Sequence, residues 1–468
     1  MRILTIAAAL ALSAAAQAQR PNVVYIMADD LGYRELGSYG QTKIRTPHLD
    51  KLAAAGMRFM HHYTSAPVCA PARCSLMTGE HGGHALVRDN FRVGTWESHE
   101  GQLPLAAGTQ TVATLFKERD YATGAFGKWG LGGPESTGHP LRQGFDRFFG
   151  YLCQRHAHNY YPRYLVDDHS KHVLEGNDRG VTGKQYAPAL IADELLRFVR
   201  AQHEAKKPFF VYYAAVIPHL ALQVPDAELA AYDFDDKPYT GKSYQPHPRP
   251  KAAYAAMITY LDKQVGRLVA LLEELHLTDD TLVVFTSDNG TTHLGKQVDY
   301  EFFKSVGELR GLKGSVYEGG IRVPMIATWP GHIKAGTSSD HLSAHYDVLA
   351  TVADLLDVDA KPNDGVSFLP TLLDKGEQES HNALVWDFAG YGGQIALRRG
   401  RYKIVQRNLR KSRTAHVELF DLDEDPGETR DLASEQPDLA KELHDLLIRS
   451  RTKPTTEKFR FGRYAHRL

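Results

Sequence analysis

Cysteine is nearly absent from this chain: Cys69, Cys74 and Cys153 are its three in 468 residues. That excludes a disulfide-built scaffold, and an odd count in an exported chain leaves one thiol free or chemically altered. Excess charge of one sign is missing as well, since 55 basic and 56 acidic residues give a net charge of −1. With no basic run either, nothing points to nucleic acid as a partner. Beyond the first residues no apolar run approaches the ~20 residues of a membrane-spanning helix. Internal repeats and low-complexity tracts are lacking too. What remains, 43% hydrophobic and 24% charged, is ordinary globular composition. The length suggests about three domains of ~150 residues, although a large α/β unit can exceed that size.

The start of the chain reads as a targeting segment. Arg2 precedes an apolar run over 3–16, which closes on Ala16-Gln17-Ala18, a small-residue cleavage pattern. A signal peptide over 1–18 is expected, with Gln19 first in the mature chain and the bacterial periplasm or the exterior as destination. An N-terminal anchor is the alternative, and the shortness of the run weighs against it.

Six stretches carry chemistry. Residues 22–27 form an apolar run of buried-strand character that ends in Ala28-Asp29-Asp30-Leu31-Gly32. Adjacent carboxylates past a strand end repel one another, so a cation belongs there, a hard divalent metal being the natural one. Cys69-Ala70-Pro71-Ala72-Arg73 leads into Cys74-Ser75-Leu76-Met77-Thr78-Gly79. On a first helical turn, (i, i+4) spacing brings Arg73 back towards position 69, Pro71 suits the first helical position, and the helix start favours an anion. A strand over 121–126 delivers Gly127-Lys128-Trp129-Gly130-Leu131-Gly132, and one over 209–216 delivers Pro218-His219. A strand over 281–286 ends in Ser287-Asp288-Asn289-Gly290, which offers a carboxylate and an amide oxygen, both hard ligands. The sixth stretch is the glycine-rich run 310–324 around Lys313. Singly, each has a bland reading: a solvated turn, a packed cysteine, a structural histidine, a flexible loop.

In this order and spacing, Cys-x-Pro-x-Arg with Leu-x-Thr-Gly and the flanking stretches resemble the type I sulfatases, across essentially the whole mature chain. The resemblance implies the alkaline-phosphatase-like fold: α/β, a large mixed and mostly parallel sheet between helices, with a smaller C-terminal α+β subdomain. Boundaries at 19–375 for the catalytic domain and 376–468 for the subdomain follow. It implies that Cys69 is converted to Cα-formylglycine by a formylglycine-generating or anaerobic sulfatase-maturating enzyme, the hydrated aldehyde being the nucleophile. It further implies one calcium ion (magnesium accepts the same ligands) held by Asp29, Asp30, Asp288, Asn289 and residue 69. Arg73, Lys128 and Lys313 would polarise the sulfate, and His219 would protonate the leaving alcohol. Two positions depart from the pattern. Glu80 stands where many members carry arginine, and Gly130 stands where a histidine touching the formylglycine is usual, leaving His139 or His156 as substitutes.

The polar and aromatic stretch 154–162 is too irregular for a core element and resembles a subset of bacterial carbohydrate sulfatases. His156, His158 and Asn159 are its candidate sugar contacts. The expected substrate is a sulfated carbohydrate, such as a galactose or N-acetylgalactosamine sulfate. A phosphate mono- or diesterase of the same superfamily and a non-catalytic carbohydrate-binding relative are the alternatives. Elsewhere, helices are expected after a Thr46 cap and over 111–118, 191–202, 254–275 and 341–356, and an excursion over the pocket across 226–251. A linker over 374–381 precedes strands at 383–388, 394–398, 402–406 and 417–420 and a helix at 437–449. Cys74 and Cys153 either pair or remain two buried thiols.

Overall fold

The computed structural model describes residues 20–91, 102–412 and 414–464, so the expected signal peptide lies outside the described residues. In chain order the strands begin with β1 (Asn22–Ala28), β2 (Met57–Phe59), β3 (His62–Tyr63), β4 (Ala122–Lys128), β5 (Arg147–Tyr151) and β6 (Tyr164–Asp167). They continue with β7 (Ser170–Val173), β8 (Phe209–Ala214), β9 (Thr281–Ser287), β10 (Met325–Thr328), β11 (Thr337–Ser339) and β12 (Ser343–Ala344). The last four are β13 (Leu384–Phe388), β14 (Gln394–Arg399), β15 (Tyr402–Gln406) and β16 (Val417–Asp421).

Ten strands form one sheet in the order β11-β2-β10-β9-β1-β8-β4-β5-β6-β7. Its central five, β9 to β5, are all parallel. Both faces of this centre are covered, which is why its strands read as unbroken apolar runs. Val24 and Ile26 of β1 pack with the helices Ala187–Glu204 and Pro250–Glu274 on one side. Val23, Tyr25 and Met27 pack on the other, with Cys69–Thr78, Val112–Lys117 and Asp347–Leu356.

β13 to β16 make a separate antiparallel meander. Trp386, Phe388 and Val405 turn one of its faces towards Tyr63, Tyr317 and Tyr346 of the main body. Ile395, Leu397 and Leu419 turn the other towards Leu443 and Leu447 of the helix Pro437–Arg449. The fold is thus the expected α/β architecture with a smaller C-terminal α+β part.

Several local expectations change. The helix expected over 341–356 begins only at Asp347, because Ser343 and Ala344 pair with His62 and Tyr63. Thr46 does precede a helix, but its hydroxyl accepts from Gly37 N at 2.9 Å instead of capping that helix. Pro71 is third in its helix, since Cys69 is already the first residue; an N–H is still dispensable there. The 374–381 segment is tied down, with Gln378 bonded to Thr371 at 2.6 Å and His381 Nε2 2.7 Å from Asp347 Oδ1. Cys74 and Cys153 are separate buried thiols, not a disulfide.

Candidate active site

The parallel centre of the sheet positions the site. β1 and β9 run in register to Ala28↔Ser287, so Asp29 and Asp288 leave neighbouring strands side by side at their carboxyl ends. Lys128 is the last residue of β4, and β8 feeds the turn that carries His219. The helix Cys69–Thr78 crosses these ends and brings its first residue over them. Asn90 Oδ1 accepts from Ala70 N at 2.9 Å and fixes that helix start.

Contacts among these groups are direct. Cys69 Sγ lies 3.4 Å from Asp29 Oδ1, 3.3 Å from Lys128 Nζ and 3.6 Å from Lys313 Nζ. Lys128 Nζ is 2.6 Å from Asp29 Oδ2, while Lys313 Nζ binds both oxygens of Asp30 at 2.7 and 2.8 Å. Arg73 does not reach back to residue 69. Its Nη2 and Nε grip Asp288 Oδ2 at 2.8 and 3.2 Å, and its Nη1 donates to Lys128 O at 2.6 Å. Arg73 therefore clamps two strand ends together. Asp30 sits at φ 66, in the left-handed region that non-glycine residues rarely adopt, and its N–H donates to Asp288 Oδ1 at 3.1 Å.

Electrically the cluster balances. Asp29, Asp30 and Asp288 face Arg73, Lys128 and Lys313, three charges of each sign, all buried or nearly so. Burial, then Asp288 and Asp29, push the Cys69 thiol far up, against the opposing pull of the two lysines. As encoded, residue 69 is a protonated thiol and a weak nucleophile. Burial, then Lys313 and Lys128, hold His219 well below the usual histidine range, so it is neutral. Its Nδ1 faces Leu220 O, which leaves Nε2 towards Asp30 Oδ2 at 3.6 Å.

The donor set suits a hard divalent cation. Ligand atoms of Asp29, Asp30, Cys69 and His219 all lie within 4.8 Å of one another. Asn289 Oδ1 is buried and has no hydrogen-bond partner among the described residues, a costly state for an amide oxygen unless a cation takes it.

The 154–162 loop behaves differently from its expectation. Asn159 spends Nδ2 on Arg179 O and Gly180 O and Oδ1 on Tyr161 N. His156 is buried against Tyr151 and Tyr164. Of the three residues expected to meet sugar, only His158 lies against the cluster, stacked on His219 with ring centroids 4.4 Å apart. Tyr244, from the 226–251 excursion, closes over both histidine rings at 5.5 and 6.0 Å. Sequence reasoning passed over Tyr244, whose only signal was its place in that excursion.

Gly130 is explained by its neighbour. A Cβ on it would stand 1.8 Å from Gln154 Nε2, at a backbone φ of 85. The carboxamide of Gln154 fills the space a side chain at 130 would claim, and neither of its polar atoms has a partner among the described residues. His139, the other substitute considered, stacks on His169 instead.

A parallel sheet with a charged cage at its strand ends, plus a C-terminal meander, is the architecture of the alkaline-phosphatase-like ester hydrolases. Residues 21–358 match the family described as Sulfatase, and 312–453 match N-sulphoglucosamine sulphohydrolase, C-terminal. The chain belongs to the sulfatase family and is a sulfuric ester hydrolase. It is 33% identical to arylsulfatase A of Bos taurus over 94% of this chain and 88% of that one. It is 30% identical to N-acetylgalactosamine-6-sulfatase of Rattus norvegicus, over 79% of this chain and 69% of that protein. Among solved structures, Ps i-CgsB in complex with k-i-k-neocarrahexaose superposes with a TM-score of 0.77 at 27% identity, covering 92% of each chain.

Proposed function

We propose that this enzyme is exported and removes sulfate from a carbohydrate, a galactose or N-acetylgalactosamine sulfate, with residue 69 acting as Cα-formylglycine beside one calcium ion. The observation that carries the reading is the cage of Asp29, Asp30 and Asp288 closing on Cys69, with the buried, unpartnered Asn289 Oδ1 among them. The carbohydrate rests on what two relatives are named for: N-acetylgalactosamine-6-sulfatase, and a structure holding a neocarrahexaose. No helix among the described residues is long and apolar enough to cross a membrane.

Asp29, Asp30, Asp288 and Asn289 would hold the ion, which supplies Lewis-acid polarisation of a sulfate oxygen. As a formylglycine hydrate, residue 69 would supply a geminal diol: one hydroxyl as the nucleophile, the other as the acid whose deprotonation lets the C–O bond to sulfate break as the carbonyl re-forms. The chain's own residues do the rest. Lys128 and Lys313, both within 3.6 Å of Sγ, bind sulfate oxygens on either side of residue 69. Arg73 holds Asp288 and the end of β4 in place rather than touching substrate. His219 is neutral in the free enzyme; an anionic ester beside it offsets the two lysines and lets Nε2 take a proton, which it delivers to the leaving oxygen.

Mass spectrometry of the peptide containing residue 69 tests the reading, together with sulfate release from defined saccharides before and after chelation. An aldehyde at 69 and chelator-sensitive release are expected. An unmodified cysteine in a fully active preparation, or phosphate esters turned over faster than sulfate esters with matched leaving groups, would sink it.

A further inference from the structure

Beyond the cage lies a cavity of about 470 Å³ that the reaction above does not use. One wall is the loop around Pro238–Ser243, the other the segment from His293 to Gln297. The lining includes Lys242, Lys296 and His293 and contains no carboxylate. Lys242 and Lys296 are exposed and form no ion pair among the described residues, unlike nearby Lys251 and Lys263, which face Asp299 and Glu228. Two unpaired ammonium groups around one concavity, with no acid to neutralise them, make a positive well.

The cavity is joined to the site by both of its walls. Tyr239 and His247 exchange backbone hydrogen bonds at 2.9 Å, which closes the loop between them. This loop therefore presents Lys242 and Ser243 to the cavity and Tyr244 to His158 and His219. From the other wall, the exposed His293 ring meets Tyr391 edge-on with centroids 5.6 Å apart. Tyr391 is 59% exposed, and its ring lies 3.3 Å from where a Cβ on Gly314 would be, next to Lys313. An exposed aromatic pair thus bridges the sulfate-facing lysine and the cationic cavity. Flat aromatic faces suit the apolar faces of sugar rings, and cations suit their anionic substituents.

We propose that this cavity is a second anion subsite, taking a sulfate or carboxylate on the sugar next to the one being desulfated, so that multiply charged oligosaccharides are preferred. The proposal rests on the sulfatase reading of the main site. The test is inhibition of 4-nitrophenyl sulfate hydrolysis by tetrasaccharides of a galactan, a galactosaminoglycan and a glucosaminoglycan. Each is used with one sulfate, with a second sulfate on the neighbouring sugar, and with a uronate there. The wild-type enzyme should bind at least one doubly charged member about tenfold more tightly than its singly charged partner, with the advantage shrinking as salt is raised. In the Lys242→Gln/Lys296→Gln variant that ratio should fall to about one. The sulfate and uronate arms tell which anion the subsite takes. A ratio near one in the wild type, or a ratio unchanged in the variant, overturns the proposal. Absence of aryl sulfate hydrolysis in protein whose residue 69 is shown to be converted counts against the sulfatase mechanism instead.

Discussion

Of the buried charge clusters among the described residues, two are built to opposite ends. In the strand-end cage, three carboxylates crowd around residue 69, and the neighbouring Asn289 Oδ1 goes without a partner. At the junction with the C-terminal meander, Lys403 Nζ sits 2.8 Å from Glu318 Oε1 and 2.9 Å from Glu428 Oε1. Tyr63 donates to Glu318 Oε2 at 2.6 Å, Arg398 donates to the Tyr63 hydroxyl, and Glu318 N donates to Glu428 Oε2 at 2.7 Å. The junction uses its charges on one another and pins the meander to the short helix Glu318–Ile321, just after Lys313. The cage pairs its three acids with three cations and still keeps an unmet acceptor beside them, a state that makes sense where a ligand is to be bound. Burial alone does not mark a functional site; in the cage it is the spare amide oxygen beside three acids at the strand ends that offers a cation its ligands.

Four changes would sharpen or break that contrast. Asp288→Asn removes the acid gripped by Arg73 and should cost roughly a thousandfold in kcat/KM, weaken divalent-ion binding and lower the unfolding temperature, since Arg73 is left buried without its charge partner. If calorimetry shows ion affinity intact, the cage is not the ion's site. Lys403→Met should leave turnover per folded molecule nearly unchanged and destabilise by about 3–5 kcal/mol in urea unfolding, since two buried acids lose their shared cation. Gly130→Ala should cost roughly 1–3 kcal/mol by overlap with Gln154 and by its left-handed backbone. Adding Gln154→Ala should recover part of that loss, and strictly additive costs would refute the spatial exchange.

The smallest effect concerns pH. Burial and Glu318 outweigh Lys403 and raise Glu428 to about 7. The folded state then keeps a proton that the unfolded chain releases near the ordinary glutamate value of about 4.3. Stability from this group is complete below that value and is lost as pH climbs through 7, by about 1–3 kcal/mol. Glu428→Gln should flatten this part of the unfolding profile between pH 5 and 8. A variant profile parallel to the wild type would show that the junction does not titrate there.

The cage half of this contrast was legible in the sequence, for a local reason; the Lys403 junction was not. Asp29, Asp288, Lys128 and His219 each follow an apolar strand-length run, and parallel sheets gather such ends on one edge. The meander strands and the helix Pro437–Arg449 were equally clear from periodicity. What stayed hidden depends on partners far along the chain. His345 and Tyr346 fall outside their expected helix because of a bridge to β3, some 280 residues earlier. Asn159 looks like a sugar ligand until Arg179 and Gly180 claim its amide. Tyr244 and Tyr391 approach the site from loops that no local pattern connects.

Gly130 and Gln154 carry an evolutionary corollary. Because the two positions compete for one volume, a side chain at 130 is costly while the glutamine persists, and loss of the glutamine opens a void. Either step taken first is harmful although both together need not be, which makes the pair a ratchet. Ancestral reconstruction along this branch should therefore find the two replacements travelling together.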